Sequence, residues 1–324
     1  MHVLICGGAG YIGSHMVKLL AEQGYTVTIF DNLSTGHREA VKWGTLVQGD
    51  LLDTDALDAL FKSNQFDAVM HFSVKSLVGE SVEKPALYYL NNVIGSYNLL
   101  EQMRLHDVGK FVFSSTAATF GNPQTATIDE NHPQVPINPY GRTKLAVDYI
   151  LGDYAQAYGL RSVSLRYFNA AGADPSGMIG ESHDPETHLI PNVLKAVLGA
   201  GSNLRIFGDD YDTADGTCIR DYIHVNDLCE AHLLALKYMD KQDGAQAYNL
   251  GNGQGFSVLE VLNAAMSVIG KKIPYEIVER RPGDPATLVA NSQLVTEQLN
   301  WKPVFTQIDE IISTAWNWHN NSTY

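Results

Sequence analysis

The chain has 324 residues, 45% of them hydrophobic, enough to bury a sizeable core and to exclude bulk disorder. Its 36 acidic and 22 basic residues give a net charge of −14, which argues against nucleic acid or an anionic membrane surface as the main partner. Three cysteines (Cys6, Cys218 and Cys229) fall at no metal-type spacing, and neither a secretory leader nor an apolar run of about 20 residues occurs, so a soluble, cytoplasmic protein is expected.

From the start, short apolar runs alternate with helical patterns. "HVLICGG" precedes an amphipathic stretch from Tyr11 to Gln23, followed by "YTVTIF", "TLVQGD" and "FDAVMHFS". A long helical stretch from about Pro85 to His106 leads to "KFVFSS", then to a helix around Tyr140 and to "RSVSLRYFN". Strands rich in Val, Ile and Phe separated by helices predict a doubly wound α/β domain, its parallel sheet covered on both faces, over residues 1–170. After Asn169, "AAGADPSGMIGESHDPETH" reads as a long functional loop, and the mixed signals beyond it predict a smaller α/β domain over 171–324, with some segments returning to the sheet.

"GGAGYIG" follows the first strand directly and opens a helix, placing Gly7, Gly10 and Gly13 three apart. Glycines permit a tight turn and let the backbone approach a pyrophosphate seated on the helix N-terminus. Asp31 ends the second strand, where an acid binds the ribose of a dinucleotide and repels a 2′-phosphate. The expected cofactor is therefore NAD.

"NPYGRTKLAVDY" sets Tyr140 and Lys144 four apart, on one helix face, behind a good N-cap in Asn138 and a Pro suited to the first turn. That spacing also occurs in ordinary helices. Its neighbours give it meaning: "FSSTAATFG" brings Ser114, Ser115 and Thr116 to the end of the fifth strand, the ligand-binding edge of such a sheet, and "LRYFN" brings Tyr167 and Asn169 to the same edge. A hydroxyl, a phenol and an ammonium beside a nicotinamide are what reversible alcohol oxidation requires.

The glycine loop, the Ser/Thr strand end and Tyr-x-x-x-Lys together resemble the extended short-chain dehydrogenase/reductase family. "RYFNAAGADPSG", "DGTCIRDYIHVNDL", "YNLGNG" and "RRPGDPA" are similar to its sugar-nucleotide epimerase branch, and the similarity runs nearly end to end. The resemblance implies a Rossmann-type fold and epimerisation at carbon 4 of a UDP-sugar through a transient 4-keto sugar. It implies Tyr140 as base, Lys144 as its electrostatic partner and ribose ligand, and Thr116 as the hydroxyl that meets the reacting group. Cofactor contacts would come from Gly7, Gly10, Tyr11, Ile12, Gly13, Asp31, Asn32, Asp50, Leu51, Phe72, Ser73, Asn91, Tyr140, Lys144 and Tyr167. The UDP-sugar would be held by Thr116, Tyr140, Asn169, Leu189, Phe207, Arg220, Arg281 and Asp284, the two arginines supplying positive charge that the acidic whole lacks.

The chain departs from the family pattern at several points. Lys75 stands one position before the cofactor-contacting Lys of some members, which aligns with Ser76. Phe120 replaces a frequent Tyr and reads as packing. Leu288 occupies the position that gates N-acetylated sugars. Ala117 and Ala118 follow Thr116 where the dehydratase branch carries an acid pair, which argues against dehydration. "ESHDPETH" groups His183, Asp184, Glu186 and His188, but reads as a solvated or substrate-lining segment, and no metal is expected. "VIGSYNLLEQM" reads as core packing or a helix–helix dimer face rather than a cofactor box. A homodimer is the expected assembly.

Overall fold

The computed structural model describes residues 1–199, 204–281 and 284–324. The chain divides into two compact units, the first formed by 1–121, 133–166 and 229–248, the second by 122–132, 167–228 and 249–324.

In the first unit, strands β1 (His2–Cys6), β2 (Thr26–Asp31), β3 (Thr45–Gln48), β4 (Ala68–His71), β5 (Lys110–Thr116) and β6 (Arg161–Tyr167) join the late strand Ala245–Leu250. Together they form a seven-stranded sheet in the order Ala245–Leu250, β6, β5, β4, β1, β2, β3. β1 runs parallel to both β2 and β4, so the order reverses beside it, the topology that opens a crevice at the carboxyl edge. Helices α1 (Tyr11–Glu22), α2 (Thr54–Ser63), α3 (Val78–Glu83), α4 (Pro85–Tyr88), α5 (Gly95–Leu105) and α6 (Pro139–Tyr158) also belong to this unit. Leu4, Phe30, Leu57, Leu99, Phe111, Phe113 and Leu151 make its core, each contributing about 1.5–3 kcal/mol by burial.

Local chemistry explains the helix starts. Asp53 accepts from the Ala56 N–H at 3.0 Å and starts α2, a helix that the reading of hydrophobic runs passed over. Asn138 accepts from the Gly141 N–H at 2.8 Å, Pro139 occupies the first turn of α6, and Gly159 ends it with φ of 71°. The helix expected over Pro85–His106 is instead interrupted at Tyr89–Ile94 by a turn of π type, where one extra residue per turn breaks the register.

The second unit is built from short strands. β7 (Asn169–Ala171) lies parallel to β9 (Ile219–His224), whose antiparallel neighbour is Gly255–Ser257 and whose other partner is Thr287–Leu288. β8 (Leu204–Phe207) pairs with Tyr275–Val278. Helix α7 (Leu189–Val197) presents Ile190, Val193 and Leu194 to a core with Leu262 and Ile312. No helix among the described residues is long and apolar enough to cross a membrane.

Candidate active site

The loop after β1 is built around close approach. Gly7 has φ of 84°, and a Cβ on Gly13 would stand 2.0 Å from the Gly7 carbonyl oxygen, so neither position tolerates a side chain. Gly10 precedes α1 with no side-chain cap, leaving the helix end for an anion of the loop's own size. Asp31 accepts from the N–H of Ala9 at 2.9 Å and of Leu33 at 2.8 Å, so its buried carboxylate holds the glycine loop against the end of β2. Asn32 donates to Asp50 at 2.8 Å just beyond β3, and Phe72 and Ser73 follow β4. Gly7, Gly10, Gly13, Asp31, Asn32, Asp50, Phe72 and Ser73 thus gather where β1, β2, β3 and β4 end, at one sheet edge, and the glycine cradle fits a pyrophosphate there.

Asn91 and Asn92 sit in the wide turn. Asn92 is fully buried, accepts the Lys75 N–H at 2.8 Å and donates to the Lys75 carbonyl at 3.0 Å. Asn91 remains partly exposed and donates to Asn92 at 3.0 Å. Lys75 is half-buried and Ser76 exposed. Asn92 has a structural task that the sequence reading missed; it lay hidden because helical spacing ascribes no special role to that position.

Thr116 ends β5 and its hydroxyl is hydrogen-bonded to the Tyr140 phenol. One turn on, the Lys144 ammonium lies 5.7 Å from the centre of the Tyr140 ring and 4.8 Å from that of Phe113, and it donates to the Ser114 carbonyl. Burial pushes the Tyr140 phenol up to about 12, against the pull of Thr116, and brings Lys144 down to about 7, against Asp148. Lys144 points at a backbone oxygen, and the positive ring that would complete the pair is a ligand's. Asp148 is held by Arg166 at 3.0 Å and by the Ser164 hydroxyl at 2.8 Å. Phe120 is buried, with the Arg166 guanidinium 5.7 Å from its ring, a packing position.

In the second unit, four predicted substrate positions form one network. Arg220 donates to Asp284 at 3.0 Å and to the Pro285 carbonyl at 2.9 Å. Arg281 stacks its guanidinium 3.9 Å from the Phe207 ring, and its carbonyl accepts from the Asp284 N–H at 3.3 Å. A stacked and a paired guanidinium suit a diphosphate and a planar base. Leu288 is half-buried and lies beside Arg220 in the ladder with β9. Asn169 donates to the Asp221 carbonyl at 3.0 Å, Tyr167 ends β6 in this unit, and Leu189 begins α7.

Asp221, which the sequence reading did not single out, is buried beneath this network. Its carboxylate accepts from the N–H groups of Asn252 at 2.7 Å, Gly253 at 3.2 Å and Ala290 at 3.1 Å. Burial pushes it up to about 6, while those three donors pull it down. In the segment read as solvated or substrate-lining, His183, Glu186 and His188 converge with Glu181, while Asp184 stays exposed.

The chain matches the NAD dependent epimerase/dehydratase family over residues 3–251. It is 52% identical over 319 residues to a UDP-glucose 4-epimerase from Halalkalibacterium halodurans, covering 98% of this chain and 96% of that one. A solved UDP-glucose 4-epimerase from Brucella ovis in complex with NAD has a TM-score of 0.95 at 50% identity over 97% of each chain. One from Bifidobacterium longum in complex with NAD+ and UDP has a TM-score of 0.94 at 38% identity over 99% of each.

Proposed function

This chain belongs to the NAD dependent epimerase/dehydratase family, and we propose that it is an isomerase interconverting UDP-galactose and UDP-glucose. The observation that carries the reading is the pairing of Thr116 with Tyr140 at the strand end, with Lys144 one turn further along α6, in a chain alike to such epimerases over its whole length.

Tyr140 takes the proton of the sugar 4-hydroxyl as the hydride leaves carbon 4, which turns that carbon into a ketone. NAD, once bound, would supply the acceptor, and later the donor, of that hydride. The 4-keto sugar turns about its diphosphate, the hydride returns to the opposite face, and Tyr140 gives its proton back. Thr116 holds the reacting oxygen at the phenol, and Lys144 supplies charge and a ribose contact. Gly7, Gly10, Tyr11, Ile12 and Gly13 take the pyrophosphate of the cofactor and Asp31 a ribose, with Asn32, Asp50, Leu51, Phe72, Ser73, Asn91 and Tyr167 completing its site. Arg220, Arg281, Asp284, Phe207, Asn169 and Leu189 hold the UDP part while the sugar turns. Ala117 and Ala118 offer no acid or base for eliminating water, which favours epimerisation over dehydration.

We place the enzyme in galactose metabolism and in the cytoplasm, a setting that suits its three buried cysteines, none of which forms a disulfide. We also propose a homodimer that pairs through the exposed apolar side chains of Leu90, Ile94 and Tyr97. The test is to incubate the purified chain with UDP-galactose and, separately, UDP-N-acetylgalactosamine. The reading expects UDP-glucose from the first, and the rate with the second measures the room beside Leu288. No UDP-glucose, even with NAD added, overturns it.

A further inference from the structure

Four side chains between residues 181 and 188 have no part in that reaction. Glu181, His183, Glu186 and His188 each offer one ligand atom, and these atoms all lie within 4.8 Å of one another. His188 Nδ1 is 2.9 Å from Glu181 Oε1 and 3.0 Å from Glu186 Oε1. His183 Nδ1 is 3.2 Å from Glu181 Oε1 and 3.7 Å from Glu186 Oε2. A tetrahedral zinc ion, bound at about 2.0–2.1 Å by nitrogen and oxygen, spaces its ligand atoms about 3.3 Å apart. The four separations bracket that value. Both imidazoles, moreover, aim Nδ1 at the same two carboxylates, meeting one oxygen of Glu181 and the two different oxygens of Glu186.

The electrostatics agree with the geometry. The Glu181 side chain is only 4% exposed, and a carboxylate taken out of water demands a counter-charge. We propose that Glu181, His183, Glu186 and His188 bind one zinc-type divalent cation as a structural staple. Two neutral imidazoles and two carboxylates balance a dication, and four protein ligands close its coordination, as in structural rather than catalytic sites. Supporting bonds hold the ligands: Trp318 Nε1 donates to the Glu181 carbonyl at 3.0 Å, and Lys195 Nζ stands 3.9 Å from Glu186 Oε2. Because His188 is the residue that precedes α7, the bound ion fixes where that helix begins.

The test uses the full chain, stripped with a chelator and dialysed into metal-free buffer. Zinc chloride is then titrated in while metal content and melting temperature are measured. The wild type is expected to retain a stoichiometric zinc ion and to melt about 5 °C higher at zinc a hundredfold above its dissociation constant. Glu186→Gln and His183→Asn are each expected to lose both effects. Cobalt chloride on the wild type, expected to give the intense visible bands of a tetrahedral site, decides the matter even if the variants fail to fold. Absence of those bands together with no zinc retained overturns the proposal, as does equal uptake and equal stabilisation in folded variants.

Discussion

The Asn92 carboxamide donates to the Thr143 hydroxyl at 3.0 Å, and that hydroxyl donates in turn to the Tyr140 carbonyl at 2.7 Å. A buried amide in the wide turn thereby anchors the first turn of the helix that carries Tyr140 and Lys144. Asn92→Leu strands the Lys75 backbone groups as well as Thr143. It should cost about 2–4 kcal/mol in urea unfolding; a loss under about 1 kcal/mol would mean that water replaces the amide.

Tyr140→Phe keeps the ring and removes the proton acceptor. Turnover should fall by about 10²–10⁴-fold while UDP binding, measured by calorimetry, is unchanged. Thr116→Ser should retain most activity and Thr116→Val should not. Near-normal turnover in Tyr140→Phe would remove the phenol from the chemistry.

The phenol of Tyr140 is pushed up to about 12 in the chain without cofactor. The phenolate band of wild type minus Tyr140→Phe should therefore be absent at pH 10, where a free phenol is half ionised. Adding NAD, with its positive ring, should move the band to lower pH. A phenolate near neutrality without NAD would contradict this.

Lys144 is brought down from 10.5 to about 7 by burial, which outweighs the pull of Asp148. Between those two values the unfolded chain keeps a proton that the folded chain has lost. Unfolding takes up that proton, so the contribution of Lys144 to stability rises with pH across the window, by roughly 3–4 kcal/mol. The unfolding free energy of wild type minus Lys144→Met should climb accordingly in the cofactor-free protein, and a flat difference would contradict the assignment.

Arg220 and Arg281 should govern nucleotide affinity. Arg220→Ala is expected to weaken UDP binding about a hundredfold. Phe207→Leu, which removes the ring 3.9 Å from Arg281, is expected to weaken it about tenfold. Unchanged affinity in both would separate the network from the nucleotide.

The glycine loop and the sheet were legible because strand, turn and helix are neighbours in the chain and each has a local signature. Tyr140 and Lys144 became readable only beside Thr116, since a Tyr-x-x-x-Lys pair has no signature of its own. Pairing of β7 with β9 was not legible, because a three-residue strand such as Asn169–Ala171 carries too little alternation to declare its partner. The wide turn at Tyr89–Ile94 preserves helical composition, so nothing in it announces the extra residue that buries Asn92. Glu181 escaped notice because its convergence with His183, Glu186 and His188 depends on the path of a loop, which side-chain spacing does not encode.

In the proposed reaction a hydride leaves carbon 4 of the sugar and returns to the same carbon. UDP-galactose deuterated at carbon 4, turned over in ordinary water, tests it most directly. UDP-glucose that retains the deuterium at carbon 4 is expected. Loss of the label to solvent would contradict it.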